Sequence, residues 1–113
     1  MNATPATLDI LGIGNAIVDV LAPTPDSFLA ERGLAKGGMA LIDAEAAAAL
    51  YAAMPPGIES SGGSAANTCA VAAALGAKVG FLGTVADDEL GRVFAHDIHA
   101  AGVAFPNAPA TGA

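Results

Sequence analysis

The stretch Glu59-Ser60-Ser61-Gly62-Gly63-Ser64-Ala65-Ala66-Asn67-Thr68-Cys69-Ala70-Val71-Ala72-Ala73-Ala74-Leu75-Gly76 decides the fold. It begins as a loop with a glycine pair, whose backbone can take angles closed to other residues. Ser64 stands where a helix N-cap is expected, and the alanine-rich run behind it is made of the strongest helix former. Gly76 is the expected C′ residue, with Lys78 just beyond the negative end of the helix. A side-chain-free loop therefore feeds a helix N-terminus, where backbone N–H groups and the positive dipole end stand open. Asn67, in the first turn, adds an amide that both donates and accepts. The corner suits a polyhydroxylated or anionic small molecule, or else it is a plain turn before a packed helix.

Working outward, the chain before this corner starts with Met1 to Thr7, read as a frayed tail. Leu8 to Ile13 is short and apolar, the pattern of a buried central strand. Gly12 and Gly14 end it, but Ile17 occupies the third position of a dinucleotide-binding glycine pattern, and a β-branched run follows instead of a helix. That fingerprint is rejected. Asn15 and Asp19 remain, just beyond the C-terminal end of a strand, where ligands of open α/β sheets collect. They either hold sugar hydroxyls through directional, partly charge-assisted hydrogen bonds or serve as a turn residue and a solvated strand residue.

Asp26-Ser27 is the expected cap of a short helix from Phe28 to Arg32, closed by Gly33. Leu34 to Ile42 has extended character, and Met39 and Leu41 share a face if it is a strand. Asp43 caps a helix from Ala44 to Met54, stopped by Pro55-Pro56-Gly57. Beyond the central corner, Lys78 to Val85 reads as another strand. Asp87-Asp88 then precedes a helix from Glu89 to Ala101 with Leu90, Val93, Phe94 and Ile98 as its apolar stripe and Gly102 as its stop. Val103 to Phe105 begins a further strand. This alternation predicts an α/β fold with a largely parallel sheet.

Composition sets the outer bounds. The 113 residues suffice for one core, in which much of the 54% apolar content is alanine. The net charge of −7 and the absence of a basic run argue against nucleic-acid and anionic-membrane partners. Cys69 has no partner for an internal disulfide and reads as a small buried residue. The N-terminus lacks signal-peptide character, and no apolar run reaches the roughly 18 residues of a membrane span, so a cytoplasmic protein is expected. His96 and His99 are too few and too loosely spaced for a zinc site, and no metal site is expected. No phosphate-binding Gly-Lys-Ser/Thr loop and no Ser/His/Asp or Cys/His arrangement is evident.

Several spaced motifs together carry a resemblance. Gly62-Gly63-Ser64-Ala65-Ala66-Asn67-Thr68 with Gly76, then Gly83, Asp87-Asp88 and Gly91, resembles the N-terminal signature of the ribokinase-like (PfkB) sugar and nucleoside kinases. Gly14-Asn15 with Asp19 is similar to that family's first substrate-binding segment, and Phe28 to Ile42 is most similar to the adenosine-kinase-like branch.

The resemblance implies a three-layer α/β/α core with a small β-sheet lid, of which residues 1–113 are the N-terminal third. Lid strands would lie within 18–42 and begin again near 108–113. It implies phosphoryl transfer from ATP, with Mg2+, to a primary hydroxyl of a sugar or nucleoside. Asn15, Asp19, Gly62, Gly63 and Asn67 would hold the substrate, and Met39 and Leu41 would cover it. Adenosine kinases would carry a polar residue near Met39, so the resemblance does not carry base recognition over to this chain. The family's Gly-Ala-Gly-Asp run, carrying the anion hole and catalytic aspartate, does not occur in the sequence. These residues would then be inactive alone, with no catalytic residue and with most ATP and Mg2+ contacts elsewhere. A homodimer through the lid is a further implication. The alternatives are a non-catalytic α/β small-molecule-binding module and a truncated pseudokinase.

Overall fold

The structure, a computed structural model, describes residues 7–110; the proposed tail before Thr7 and the final residues 111–113 of the second lid segment lie outside them. The chain divides into two compact units, one running up to Asp19 and resuming at Glu59, the other Val20–Ile58.

The first unit holds the main sheet. Strands β1 (Ile10–Ile13), β4 (Val79–Leu82) and β5 (Val103–Ala104) lie in the order β1-β4-β5, and both pairings are parallel. Helix α3 (Ser64–Ala74) packs against all three strands, and helix α4 (Glu89–Ala100) packs on β5. Sheet register explains which side is covered. Gly12 pairs with Phe81, and a β-carbon on Gly12 would meet Cys69 Sγ and the Phe81 ring. Phe81 in turn touches Phe94 of α4 and Phe105 beyond β5, with ring centroids 5.8 and 6.2 Å away. Three of the four phenylalanines thus gather in one cluster, which offsets the small side chains elsewhere in the core. Cys69, the expected small buried residue, is 1% exposed there.

The alternate register pairs, Leu11 with Gly80 and Ile13 with Leu82, belong to the other face. Leu11 and Ile13 are 52% and 74% exposed. The described residues therefore build the sheet and one helical layer of the α/β core.

β1 is a correction. Its apolar composition suggested a buried central strand, but it occupies the edge of the three-stranded sheet among the described residues, and β4 takes the centre. An apolar run reports that both faces tolerate burial, not where the strand stands in the order.

Capping follows the residues in most places. Asp43 Oδ1 accepts the Ala46 N–H at 2.7 Å, opening α2 (Ala44–Ala53), and Asp88 Oδ1 accepts that of Gly91 at 2.8 Å. Gly76 and Gly102 have φ of 98° and 88° after their helices, the left-handed stop that glycine provides cheaply. α1 (Asp26–Glu31) differs: Pro25 is its N-cap, and Asp26 lies inside the first turn. Asp26 is instead an acidic residue in the first turn, where the positive end of the helix favours it. It also pairs with Lys36 at 3.2 Å on the surface.

β2 (Ile17–Leu21) and β3 (Ile58–Gly62) form a separate two-stranded sheet. β3 corrects the loop expected before the glycine pair; its Ser-Ser-Gly sequence has weak strand propensity, and pairing with β2 overrides it. Leu34–Ile42 contains no strand. A turn at Lys36-Gly37 with φ of 75° at Gly37 bends it, leaving Met39 and Leu41 90% and 93% exposed within the Val20–Ile58 unit. Among the described residues, no helix is long and apolar enough to cross a membrane.

Candidate functional site

Two segments far apart in sequence converge in the first unit. β1 delivers the chain to Gly14-Asn15-Ala16, and β2 carries it on to Asp19. β3 delivers Gly62 and Gly63 directly to the start of α3. A β-carbon on Gly63 would lie 3.2 Å from the Asn15 carbonyl oxygen, and one on Gly62 would collide with the Asp19 carboxylate. The glycine pair thus lets the Asn15–Asp19 segment lie closer to the main chain than a side chain at these positions would readily allow.

Gly63 has φ 95° and ψ 143°, a combination open essentially to glycine alone, and it is the N-cap of α3. Ser64, expected as the cap, is the first helical residue, and no side chain caps this helix. The Gly63 carbonyl takes the Asn67 N–H at 2.8 Å, while Thr68 Oγ1 turns back to the Ser64 carbonyl at 2.7 Å. The first turn of α3 is therefore left without a side-chain cap. Asn15, Asp19 and Asn67 are exposed, so their polar groups are accessible to a ligand; Gly62 is buried.

A cleft of about 550 Å³ opens beside this corner at the C-terminal ends of β1 and β4. Asn15, Thr84 and Asn107 supply its polar side chains, with Gly14 and Gly83 in its wall. Asn107 Oδ1 accepts the Gly83 N–H at 3.2 Å, and Ala110 N–H donates to the Val85 carbonyl at 2.8 Å. The segment after β5 is thereby laid along the chain leaving β4. Thr84 and Asn107 escaped the sequence reading. The carboxyl-end rule that selected Asn15 would have found them, had it been applied to β4 and β5 as well.

Met39 and Leu41 belong to the Val20–Ile58 unit, where Met39 helps line an opening of about 390 Å³ with Leu29, Leu34 and Lys36. Asn15, Asp19, Gly62, Gly63 and Asn67 all fall in the other unit.

On α4, Asp97 is the titratable group whose acidity stands out. Its Oδ2 accepts the Ser61 backbone N–H at 2.9 Å, and its Oδ1 lies 3.2 Å from His96 Nδ1. The Ser61 N–H foremost, then His96, hold its carboxyl below the usual carboxylate range. Asp87, an exposed partner of Arg92 at 3.4 Å, and Asp88, a helix cap, have structural occupations. Among the described residues, no group of three or more His, Cys, Asp or Glu gathers to hold a metal ion.

Residues 39–109 match the model of the pfkB family of carbohydrate kinases. None of the curated proteins compared with the chain matches it. Among solved structures, an adenosine kinase from Sinorhizobium meliloti is 53% identical with a TM-score of 0.76, over 95% of this chain and 33% of its own. A probable sugar kinase protein from Rhizobium etli CFN 42 is 48% identical with a TM-score of 0.74, over 91% of this chain and 31% of its own. Adenosine kinase from Trypanosoma brucei brucei, in its apo form, is 27% identical with a TM-score of 0.78, over 95% of this chain and 34% of its own. The chain spans about a third of the length of these structures. The fold is that of the N-terminal part of a ribokinase-like enzyme, on the adenosine-kinase-like side. With the glycine corner, the register of its sheet and these likenesses in agreement, the chain belongs to the pfkB family of carbohydrate kinases.

Proposed function

We propose that the protein is an ATP-dependent kinase acting on a primary hydroxyl of a nucleoside or free sugar, and that residues 1–113 supply the acceptor side of its site. The observation that carries this reading is the packing of the Asp19 carboxylate onto Gly62, which joins two motifs well separated in sequence around one polar corner.

Phosphoryl transfer requires a positioned hydroxyl, a proton acceptor and donors for the charge on the transferring group. The residues here suit the first task. Asp19 accepts hydrogen bonds from substrate hydroxyls, the Asn15 and Asn67 amides donate and accept, and the bare Gly62-Gly63 backbone admits the ring closely. The role assigned to Met39 and Leu41 is shape and exclusion of water, which limits wasteful hydrolysis of ATP. The groups that bind ATP and Mg2+ and complete the catalysis are assigned to the remainder of a longer protein, so residues 1–113 alone are inactive. The same reading takes the enzyme to be cytoplasmic and, through a lid, able to form a homodimer.

The test is phosphate transfer by the full-length protein from ATP, with magnesium, to a panel of nucleosides and free sugars. Transfer to one acceptor, abolished by Asp19→Ala, supports the proposal. Absence of transfer to every member overturns it.

A further inference from the structure

Gly62 and Gly63 lack side chains that could hold them, and a glycine segment loses more conformational freedom on ordering than any other. Pairing of β3 with β2 and the Gly63–Asn67 bond hold it in part, and one side chain from α4 adds to them. Asp97 lies 36 positions away from Ser61 in sequence, yet its Oδ2 takes the Ser61 N–H at 2.9 Å. That N–H belongs to the residue immediately before Gly62. Asp97 stands on α4 next to Ile98 and one turn from Phe94, both of which are buried in the core, so the carboxylate is mounted on a rigid element. Its second oxygen faces His96, leaving Oδ2 committed to the strand. A charge-assisted hydrogen bond of this kind is about twice as strong as a neutral one.

We propose that Asp97 is a positioning residue for acceptor binding, anchoring the end of β3 so that the Gly62-Gly63 main chain is held against Asp19 and toward the substrate. The inference rests on the reading of Asp19, Gly62 and Gly63 as the acceptor site. The carboxylate of Asp19 borders Gly62 from one direction, and Asp97 fixes the peptide that precedes it. Asp97 touches no substrate on this account; it acts through Ser61.

The experiment compares the full-length protein with Asp97→Leu, which removes the acceptor oxygen, and Asp97→Asn, which keeps one without the charge. Amide hydrogen exchange over Ser61–Gly63 should accelerate about tenfold in Asp97→Leu and much less in Asp97→Asn. The KM for the acceptor should rise about tenfold in Asp97→Leu, the KM for ATP should hold, and Asp97→Asn should recover most of the loss. Asp97→Ser, too short to reach Ser61, replaces the leucine variant if that fails to fold. An acceptor KM unchanged in a folded Asp97→Leu or Asp97→Ser protein overturns the proposal. So does an equal rise in both KM values without rescue by Asp97→Asn, the mark of a general structural role. If the wild-type protein phosphorylates no acceptor, the functional reading fails. Exchange at Ser61–Gly63 then decides the anchoring role separately, and unchanged protection in Asp97→Leu overturns it.

Discussion

The Asp19 carboxylate occupies the space that a β-carbon on Gly62 would need. Neither residue is near the other in sequence, and each alone has an ordinary explanation. Their juxtaposition gives both a reason: the glycine is the condition for the carboxylate to lie against the main chain at the mouth of α3.

Gly62→Ala should therefore be damaging although an alanine fits a strand backbone. Overlap with a neighbour of this kind destabilises by about 1–3 kcal/mol, and the carboxylate is the group with room to move. The expected outcome is a folded protein whose acceptor KM rises at least about tenfold while the KM for ATP holds. Steady-state kinetics of the full-length variant, beside a thermal melt, checks both halves.

Gly63→Ala acts through another cause. At φ 95° an L-residue is strained whatever the space around it, and such conformations cost about 1–3 kcal/mol each. The variant should lower thermal stability more than Gly76→Ala does, because nothing lies within 4 Å of a β-carbon at Gly76, while Gly63 also faces the Asn15 carbonyl and Ile17. Equal melting shifts for the two would show that the α3 entrance is not constrained by its neighbours.

The core makes a contrasting pair. Phe94→Ala empties the centre of the Phe81–Phe94–Phe105 cluster and should cost about 3–5 kcal/mol. Leu41→Ala, at a side chain 93% exposed, should change stability by less than about 0.5 kcal/mol. Denaturant melts of the two variants test the assignment.

Asp97 gives the pH dependence. Its folded-state pKa is depressed, so its stabilising contact with Ser61 is fully present above the ordinary carboxylate value of 3.8 and is lost as pH falls below that through the folded value. Wild type should be more stable than Asp97→Asn near neutral pH, and the difference should close well below 3.8. Chemical denaturation across that range measures it. A gap that widens on acidification has the wrong sign.

Much of the architecture was legible because caps and stops are local. Asp43, Asp88, Gly76 and Gly102 sit where their chemistry requires. Position within the sheet was not legible. The Leu8–Ile13 run is apolar enough for a central strand, but order is set by which strands pair, and β4 took the centre. Ile58–Gly62 was missed as a strand because its own residues have little preference and β2 imposes the conformation. At the site, Asn15, Asp19 and the glycine pair stood out through their places at a strand end and a helix start, their common role came from the family resemblance, and the contact of Asp19 with Gly62 is seen only in three dimensions. Thr84 and Asn107 carry no motif, since the cleft they line is made by parallel pairing. Asp97 was equally silent: it belongs to no motif, and its bond to Ser61 comes from how α4 packs.

The most direct measurement is the affinity of the full-length protein for its acceptor, by calorimetric titration, in wild type and in Asp19→Ala, using the panel member that accepts phosphate. Loss of charged hydrogen bonds to substrate hydroxyls should weaken binding by at least about tenfold while the fold is kept. Unchanged affinity in a folded Asp19→Ala protein would contradict the placement of the acceptor site at the Asp19–Gly62 corner.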